Sequence, residues 1–400
     1  MSNKEKEPLV PKLRFPAFRD FPEWKREKVD ELVDTVTPPK KLPTSSYSLK
    51  GEIPIIDQSQ NAICGWTEDH EALIQDDLPL IVFGDHTCIL KLLVRPFAQG
   101  ADGIKILKSR SKIDTSYLYQ YLSYKPVVTE EYKRHYSILK EKVVLFPDFK
   151  TGEQQKIADC LSSLDELIAA QARKVDALKN HKRGLMQHLF PREGETQPRL
   201  RFPEFNNAGE WTPKTIGKLG EVVTGSTPST AKPEYYGGDR HFVSPADISD
   251  GRFIDRTKTT LTELGFLETR PVKANSILFV CIGSTIGKIA QNRQECATNQ
   301  QINAVLPNSE NFEGFVYYAL SGIAGKIANI AGKQAVPIVN KSLFSSVELM
   351  VPKLPEQKHI ANFLSSLDET IFAEGQQLET LKIHKKSLMQ QIFPSMEAAV

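Results

Sequence analysis

Two stretches of the sequence have residue types and spacings that could support phosphate binding or DNA cleavage. Gly283-Ser-Thr-Ile-Gly-Lys288 resembles a phosphate-binding loop, but Ile282 replaces its first glycine and Ile289 replaces the serine or threonine that would bind Mg²⁺. Pro147-Asp148 begins a nuclease-like pattern, yet Glu153-Gln154-Gln155 lacks the lysine that would complete it. We therefore interpret the first stretch as a turn between strands, and we predict no nuclease site at the second.

The sequence also lacks the marks of adenine methylation and of a metal site. It contains no Asn-Pro-Pro-Tyr or Asp-Pro-Pro-Tyr stretch and no Gly-rich strand-to-helix turn suited to S-adenosylmethionine. The eight histidines do not lie at metal-ligand spacing from cysteines or carboxylates, and the five cysteines are scattered without a CxxC pair. We expect no catalytic residue, no metal and no cofactor in this chain, and the cysteine usage fits a reducing cytoplasm.

Composition and charge narrow the class of protein. A chain of 400 residues, 40% hydrophobic and 25% charged, indicates at least two folded domains. No apolar run approaches the roughly 18 residues that a membrane span needs, and the charged start has no apolar core behind it, so we expect neither membrane insertion nor export. The net charge of +2 is low for a protein that would hold DNA unaided. Either DNA is not the ligand, or a partner protein contributes to binding the DNA.

Local clusters of basic residues keep DNA binding in consideration. Solvated surface charge is the alternative interpretation for each cluster. The clusters are Lys105, Lys108, Arg110 and Lys112; Lys133, Arg134, His135, Lys140 and Lys142; and Arg252, Arg256 and Lys258.

An internal repeat organises the chain. The segment from Glu153 to Pro191 returns without a gap from Glu356 to Pro394, and about half of the positions are identical. A second repeated element, PKLRFPAF from Pro11, returns as PRLRFPEF from Pro198, each followed by a tryptophan at the same spacing. The order along the chain is therefore unit, helix, unit, helix.

The two repeated segments are predicted to be long helices. They lack proline in their interiors and carry apolar residues at steps of three and four, which is typical of a heptad seam. Gln171 and Glu374 interrupt the two seams at equivalent places, and so do Lys182 and Lys385. We predict an antiparallel pair of helices, each roughly 35 to 38 residues or about 55 Å long; helices packed on a globular core are the alternative. The seams comprise Ile157, Leu161, Leu164, Ile168, Val175, Leu178, Leu185 and Leu189, and Ile360, Leu364, Leu367, Ile371, Leu378, Leu381, Leu388 and Ile392.

The segments between these helices predict mixed α/β domains. Short β-branched runs bounded by Pro, Gly or Asp indicate strands, and two apolar-periodic runs indicate short helices. The predicted strands are 52–57, 78–83, 103–107, 275–282 and 302–306, and the predicted helices are 116–123 and 312–330. The fold class is thus α+β, with two mixed α/β domains separated by an antiparallel pair of long coiled-coil helices in a pseudo-twofold repeat. The predicted boundaries are 1–150, 151–191, 192–354 and 355–400.

Several motifs resemble those of the specificity subunits of type I restriction-modification systems. The stretch from Gly225 to Ile248 looks like the opening of a family target-recognition domain, with its Gly-Ser-Thr-Pro-Ser, its aromatic pair and its Ser-Pro-Ala-Asp-Ile. GSTIGKIA and ATNQQINAVLP resemble the next loop and strand, and the stretch from Val336 to Ile360 resembles the passage into the long helix. In the first domain, LIVFGDHTCILKLL and YKRHYSILKEKV resemble a different recognition-domain class of the same family.

The resemblance implies a DNA-binding subunit in which each domain reads one half of an asymmetric, bipartite double-stranded DNA target. It implies two methylation subunits and restriction or translocase subunits as partners, which would supply S-adenosylmethionine, ATP and Mg²⁺. The cysteine usage and the lack of an apolar span, noted above, predict a cytoplasmic location without membrane contact. The alternatives are a DNA enzyme with an unrecognised nuclease or methylase site, and a coiled-coil adaptor without a DNA role.

We expect the DNA contacts to come from the polar loops of both domains. For each candidate the alternative is a surface or turn residue without a base contact; for His86, a core-edge turn and a base-reading loop both remain open. His181 and His384, at matching places on the long helices, are expected to be partly exposed helix residues. The candidates are Gln58, Asn61, Asp85, His86, Lys91, Arg134 and Tyr136 in the first domain, and Thr227, Ser229, Lys232, Tyr235, Tyr236, Arg240, Ser284, Lys288, Lys333 and Lys341 in the second.

Overall fold

The structure is a computed structural model that describes residues 9–101, 103–128, 135–249, 251–331 and 337–394. The chain divides into two compact units. Unit 1 contains Met1–Arg173 and Gln376–Val400, and unit 2 contains Lys174–Gly375. Both dividing points fall inside long helices. The predicted domain boundaries follow the sequence repeat rather than these compact units, and they stay a prediction.

Unit 1 is built from small sheets and short helices. A four-stranded antiparallel sheet has the order β2-β9-β6-β7, a second sheet has the order β4-β3-β8-β5 with β3 and β8 parallel, and β1 pairs with β10. Its elements are β1 (Lys25–Lys28), α1 (Val29–Leu32), β2 (Val33–Val36), β3 (Ile53–Ile56), β4 (Gly65–Thr67), β5 (Leu73–Ile74), β6 (Leu80–Gly84), β7 (Leu90–Leu93), β8 (Phe97–Gln99), β9 (Ile104–Ser109), α2 (Thr115–Tyr124), α3 (Tyr136–Glu141), β10 (Val143–Phe146) and α4 (Glu153–Leu189).

Unit 2 has a five-stranded sheet, a three-stranded sheet and a strand pair. Their orders are β12-β19-β16-β17-β14, β15-β13-β18 and β11-β20. Its elements are β11 (Thr212–Thr215), α5 (Ile216–Leu219), β12 (Gly220–Thr224), β13 (Tyr236–Val243), β14 (Phe253–Ile254), β15 (Thr259–Leu261), α6 (Glu263–Leu267), β16 (Ile277–Val280), β17 (Ile289–Asn292), β18 (Ala297–Thr298), β19 (Ile302–Pro307), α7 (Glu313–Ile330), α8 (Lys341–Ser346), β20 (Glu348–Val351) and α9 (Leu354–Ile392).

The two units repeat one strand topology although their loops have different sequences. The order β2-β9-β6-β7 in unit 1 corresponds to β12-β19-β16-β17 in unit 2. The parallel pair β3 and β8 corresponds to the parallel pair β13 and β18. Unit 2 adds β14 at a sheet edge, and α7 has 18 residues where α2 has 10. All five predicted strand runs and both predicted short helices are confirmed.

Buried ion pairs anchor the repeated LRFP element of each unit to a long helix. The Nε and Nη2 atoms of Arg14 donate to the two carboxylate oxygens of Glu153 at 2.8 and 2.7 Å. Arg201 repeats this arrangement on Glu356, at 2.7 Å for both hydrogen bonds. Both glutamates are buried: Glu153 is 0% exposed and Glu356 is 1% exposed. Because both pairs are bidentate, they fix the orientation of the chain as well as its position.

The long helices contain 37 and 39 residues and have the predicted seams. Every predicted seam position is buried or half-buried, whereas His181 and His384 are exposed as expected. In unit 1, Lys385 of α9 pairs with Asp165 of α4 at 2.5 Å. In unit 2, Lys182 of α4 pairs with Asp368 of α9. The helices therefore pack antiparallel within each unit, and the predicted fold class is confirmed.

These ion pairs explain the lysines that interrupt the seams. Asp165 also accepts a hydrogen bond from Gln120 of α2 at 2.8 Å, and Asp368 accepts one from Tyr318 of α7 at 2.7 Å. Each aspartate is thus a junction between the helix pair and the domain beside it. A polar pair on an apolar seam specifies which residues face each other, because any other register leaves its charges unpaired.

We expect Asp165→Asn and Asp368→Asn each to destabilise the helix pair of its own unit by about 1–3 kcal/mol, because a charge-assisted hydrogen bond is lost at a half-buried place. Hydrogen exchange of α4 and α9 peptides measures the effect. In the control, Lys382→Gln removes the exposed pair that Lys382 makes with Glu379 and should change nothing measurable. Equal exchange in all three variants would contradict the junction role.

Candidate nucleic-acid interface

Four loops of unit 1 meet around the turn between β6 and β7. Asp85, in that turn, is 6% exposed and its backbone N–H donates to Gly103 O at 2.7 Å. Its carboxylate accepts from Tyr136 N at 2.8 Å, at the start of α3, and its carbonyl accepts from His135 N at 2.9 Å. Asp85 thereby joins the β6–β7 turn, the β8–β9 turn and α3.

The loop after β3 closes onto the same turn. Gln58 O accepts a hydrogen bond from the Thr87 hydroxyl at 2.8 Å, and the Gln58 side-chain oxygen accepts from His86 N at 3.4 Å. The Gln58 amide also lies against Gly103, because a Cβ added at that glycine would be 2.6 Å from Gln58 Nε2. The structure therefore brings Gln58, Asp85, His86 and Tyr136 together.

Lys91 on β7 fastens the loop that carries Asn61. Its ammonium group donates to Asp57 O at 2.9 Å and to Asn61 O at 2.5 Å. Burial works against ionisation of Asp57, yet hydrogen bonds from the Cys64 thiol and from Ser59 lower the pKa of Asp57 below its usual value. Lys91 and Asp57 thus shape this loop, and Asn61 is exposed on it.

Tyr136 presents a half-buried ring at the rim of these loops. The ammonium group of Lys105 lies 5.5 Å from its ring centroid. Burial raises the pKa of the Tyr136 hydroxyl, so the hydroxyl stays protonated and able to donate a hydrogen bond near neutral pH. Arg134, another candidate in this region, lies outside the described residues.

The corresponding loops of unit 2 form a second polar surface. The stretch Gly283–Lys288 is a turn between the antiparallel strands β16 and β17, as predicted, and Gly283 has a left-handed φ of 92°. Its backbone N–H donates to Pro337 O at 3.0 Å, and Cys281 N donates to Gln301 O at 2.8 Å. Ser284 is exposed in the turn. Lys341 is the first residue of α8, the helix that corresponds to α3, and it is also exposed.

The loop before β13 lies against the β18–β19 turn. A Cβ added at Gly225 would be 2.2 Å from Thr298 Oγ1 and 2.3 Å from Asn299 O, so only glycine permits this approach. Thr227 donates to the side-chain oxygen of Gln300 at 2.6 Å. Ser229 is exposed in the same loop. The contact places Thr227 and Gln300 on one surface.

Four further candidates have identifiable contacts within unit 2. Tyr236 donates its hydroxyl hydrogen to Pro228 O at 2.8 Å. Lys232 donates to the hydroxyl of Tyr235, which is 5% exposed, at 2.8 Å. Arg240 pairs with Glu263 at 2.8 Å, and this hydrogen-bonded pair raises the pKa of the guanidinium. These contacts hold the loop and the strand, and DNA contact by these side chains stays a prediction.

The Ser-Pro-Ala-Asp-Ile stretch folds into a closed loop after β13. Asp247 accepts hydrogen bonds from the backbone N–H and hydroxyl of Ser244 at 2.9 and 2.7 Å, and from Lys258 N at 2.8 Å. Lys288 donates from its ammonium group to Ile248 O at 3.1 Å. Lys288 and Lys91 therefore play similar parts in the two units, each fastening the loop that follows a central strand. Lys333 lies outside the described residues.

Comparison with known proteins finds relatives of one kind. Residues 208–382 match the model of the type I restriction modification DNA specificity domain. The specificity subunit of the type I restriction enzyme EcoR124I/EcoR124II of Escherichia coli is 27% identical over 334 residues, which cover 79% of this chain and 79% of that protein. Over most of its length, the chain is therefore similar to a type I restriction enzyme specificity subunit. The HindI specificity subunit of Haemophilus influenzae is 29% identical, over 40% of this chain and 37% of its own length, so the chain aligns with less than half of that relative.

Solved structures of type I systems share the fold. The S subunit from M. genitalium has a TM-score of 0.67 and 17% identity, and the match covers 97% of this chain and 100% of that one. A chain from a structure titled for complex assembly and conformational transition of the type I R-M system has a TM-score of 0.52 and 14% identity, with 93% and 98% covered. In the described part of the present chain, no helix is both long enough and apolar enough to cross a membrane.

Sequence reasoning did not select several polar residues that lie on these two loop surfaces. Asn299, Gln300 and Gln301 lie in the β18–β19 turn, and the Asn299 amide donates to the Gln301 side chain at 3.0 Å. Lys105 is exposed beside Tyr136. The consecutive amides of ATNQQINAVLP were a signal for the first three. Lys105 was noted in a basic cluster, but its place beside Tyr136 had no signal in the sequence, because only the fold brings β9 beside the start of α3.

Proposed function

We propose that this chain is a DNA-reading specificity subunit in which unit 1 and unit 2 each read one half of an asymmetric, bipartite double-stranded target. The observation that carries this proposal is the repeated topology with unlike loops. His86 and Ser284 occupy corresponding strand turns, and Tyr136 and Lys341 begin corresponding helices. A repeated fold that presents different side chains at corresponding positions is suited to recognising two different DNA half-sites.

The loop surfaces offer the groups that base reading requires. Side-chain amides such as those of Gln300 and Gln58 can pair with adenine, which shows both a donor and an acceptor in the major groove. Exposed lysines such as Lys105 and Lys341 are suited to phosphates, which fix the position of the reader without specifying sequence. We infer that amides and hydroxyls discriminate between bases while lysines hold the backbone.

The charge distribution supports a role for partner subunits in binding the DNA backbone. Lys108, Arg110 and Lys112, which form a cluster in the sequence, are each paired with acidic neighbours of unit 1. Because these side chains are paired and the net charge of the chain is only +2, few basic side chains remain to contact DNA phosphates. Two methylation subunits, with restriction or translocase subunits, would supply the remainder, and they would carry S-adenosylmethionine, ATP and Mg²⁺. We infer that this chain is a non-catalytic subunit that works on DNA in the cytoplasm.

Methylation of randomised targets by the complete complex tests whether unit 1 and unit 2 each recognise one half-site. We expect Tyr136→Ala to relax selectivity at one half-site and Gln300→Ala to relax it at the other, by about 1–3 kcal/mol for each lost base contact. His181→Ala on the exposed face of α4 is the matched control and should change neither half-site.

Other results would favour the alternative functions. Relaxation of both half-sites by either variant would contradict separate reading. Methylation or cleavage of DNA by the purified chain alone would favour an enzyme. Unchanged methylation specificity in a host that lacks the chain would favour an adaptor.

A further inference from the structure

Arg252 lies after the closed loop of residues 244–249 of unit 2 and contacts aromatic rings and polar side chains of several elements. Its guanidinium lies 4.7 Å from the ring centroid of Phe253 and 5.1 Å from the centroids of Tyr317 and Tyr318. Planar guanidinium groups stack on aromatic faces more readily than ammonium groups do. Cation–π contacts with aromatic rings of β14 and α7 thus hold the Arg252 side chain, in addition to its hydrogen bonds.

The hydrogen bonds of Arg252 extend to two further elements. Its Nε donates to Gln291 Oε1 of β17 at 2.8 Å, and its Nη1 donates to Ser365 Oγ of α9 at 2.5 Å. Nη1 also lies 3.3 Å from the Tyr318 hydroxyl. One side chain therefore connects a sheet edge, α7 and a long helix.

The connection continues to the other long helix. Tyr318 donates to Asp368 of α9 at 2.7 Å, and Asp368 pairs with Lys182 of α4. The Lys182 ammonium group lies 5.1 Å from the Tyr318 ring centroid. A continuous set of contacts thus runs from Arg252 through Tyr318 to the helix pair of unit 2.

Unit 1 makes the same junction without a loop residue. There Asp165 accepts from Lys385 and from Gln120, which belongs to α2. In the described part of unit 1, no arginine donates to Ser162, the repeat counterpart of the Ser365 that Arg252 contacts in unit 2. Among the described residues, this arginine contact with a long helix is thus a feature of unit 2 that unit 1 does not repeat.

We propose that Arg252 is a positioning residue that holds the loop of residues 244–249 of unit 2 against its helix pair and so sets where that loop meets DNA. The proposal rests on the proposed function. Base reading requires side chains to be held within about 0.5 Å of their working positions. The loop closes on itself through Asp247 and is fastened by Lys288, while Arg252 ties its far end to α7 and α9. Arg252 does not itself need to touch a base.

Three variants test the tether in the complete complex. Arg252→Lys keeps the charge but cannot reach Gln291 and Ser365 together, because it has one ammonium group instead of a fork of donors. We expect it to relax selectivity by about tenfold, close to the loss of one base contact, at the half-site that Gln300→Ala alters, with the other half-site unchanged. Ser365→Ala should act at the same half-site, and the double variant should lose no more than Arg252→Lys alone. Arg199→Lys, at an exposed arginine of unit 2 that pairs with Glu195 away from the loop surfaces, is the matched control.

Hydrogen exchange of the full-length chain provides a readout that needs no DNA. Arg252→Lys and Ser365→Ala should each accelerate exchange at the amides of residues 244–249 and leave those of residues 57–61 unchanged. Unaltered exchange at 244–249, equal relaxation of both half-sites, or additive losses in the double variant would overturn the proposal. If the wild-type complex methylated no bipartite site, the proposed function would fail, and the exchange result would still decide whether Arg252 restrains the loop.

Discussion

Glu356→Gln is expected to destabilise unit 2 by about 3–5 kcal/mol, since it leaves a buried guanidinium without its counter-charge. The Glu356 side chain is 2% exposed and that of Arg201 is 7% exposed, so water cannot solvate the orphaned cation. The same carboxylate accepts from the indole N–H of Trp211 at 3.2 Å, so one substitution weakens three hydrogen bonds at once. Urea denaturation followed by hydrogen exchange of unit 2 peptides measures the loss.

The repeat provides a matched comparison for this variant. Glu153→Gln should destabilise unit 1 by a smaller amount, because Glu153 accepts from Arg14 alone and the indole N–H of Trp24 has no hydrogen-bond partner among the described residues. Glu193→Gln, which removes an exposed pair with Lys326, is the control and should leave the denaturation midpoint unchanged. Similar losses in all three variants would show that the buried pairs contribute no more than surface pairs.

Phe393→Ala should destabilise unit 1 by about 3–5 kcal/mol, the range for removing a fully buried phenylalanine. The ring is 1% exposed and fits among three tyrosines of α2, with centroids 5.8 Å from Tyr117, 5.2 Å from Tyr121 and 5.4 Å from Tyr124. These rings hold the last turn of α9 against unit 1. Hydrogen exchange of α2 and of α9 beyond Gln376 measures the loss.

The control for this variant is an exposed phenylalanine on the same helix. Phe372 is 68% exposed, and Phe372→Ala should change stability by no more than about 0.5 kcal/mol. Phe190, the repeat counterpart of Phe393, packs against Trp211 and Phe315 in unit 2, and Phe190→Ala should destabilise that unit instead. Loss of protection in unit 2 after Phe393→Ala would contradict this assignment.

The elements of the fold could be predicted from the sequence because their signals are local or repeated. A run such as 78–83 contains only residues that favour buried strands, and the seam from Ile157 to Leu189 repeats a period that only a helix satisfies. The repeat also determined which helix residues correspond, so Lys182 and Lys385 were recognised as equivalent interruptions. Their partners, Asp368 and Asp165, could not be found in this way, because pairing depends on the register between helices.

The sites were less predictable because loop side chains act through contacts between distant segments. Asp85 was chosen as a polar loop residue, and the structure shows that its carboxylate holds the start of α3. Arg252 was noted as part of a basic cluster, whereas it lies among aromatic rings of unit 2. Sequence alone showed which loops were polar, and it could not show which of their side chains support the loop.

The packing of Phe393 has a consequence for folding during synthesis on the ribosome. The hydrophobic core of unit 1 includes Met389, Ile392 and Phe393, which are translated long after its last strand ends at Phe146. At about 5–20 residues per second, tens of seconds separate the two events. During that interval the tyrosine pocket of α2 is exposed as an apolar surface. Unit 1 is therefore the first to be synthesised and the last to complete its core, and a nascent chain interrupted before α9 ends leaves a client for chaperones or proteases.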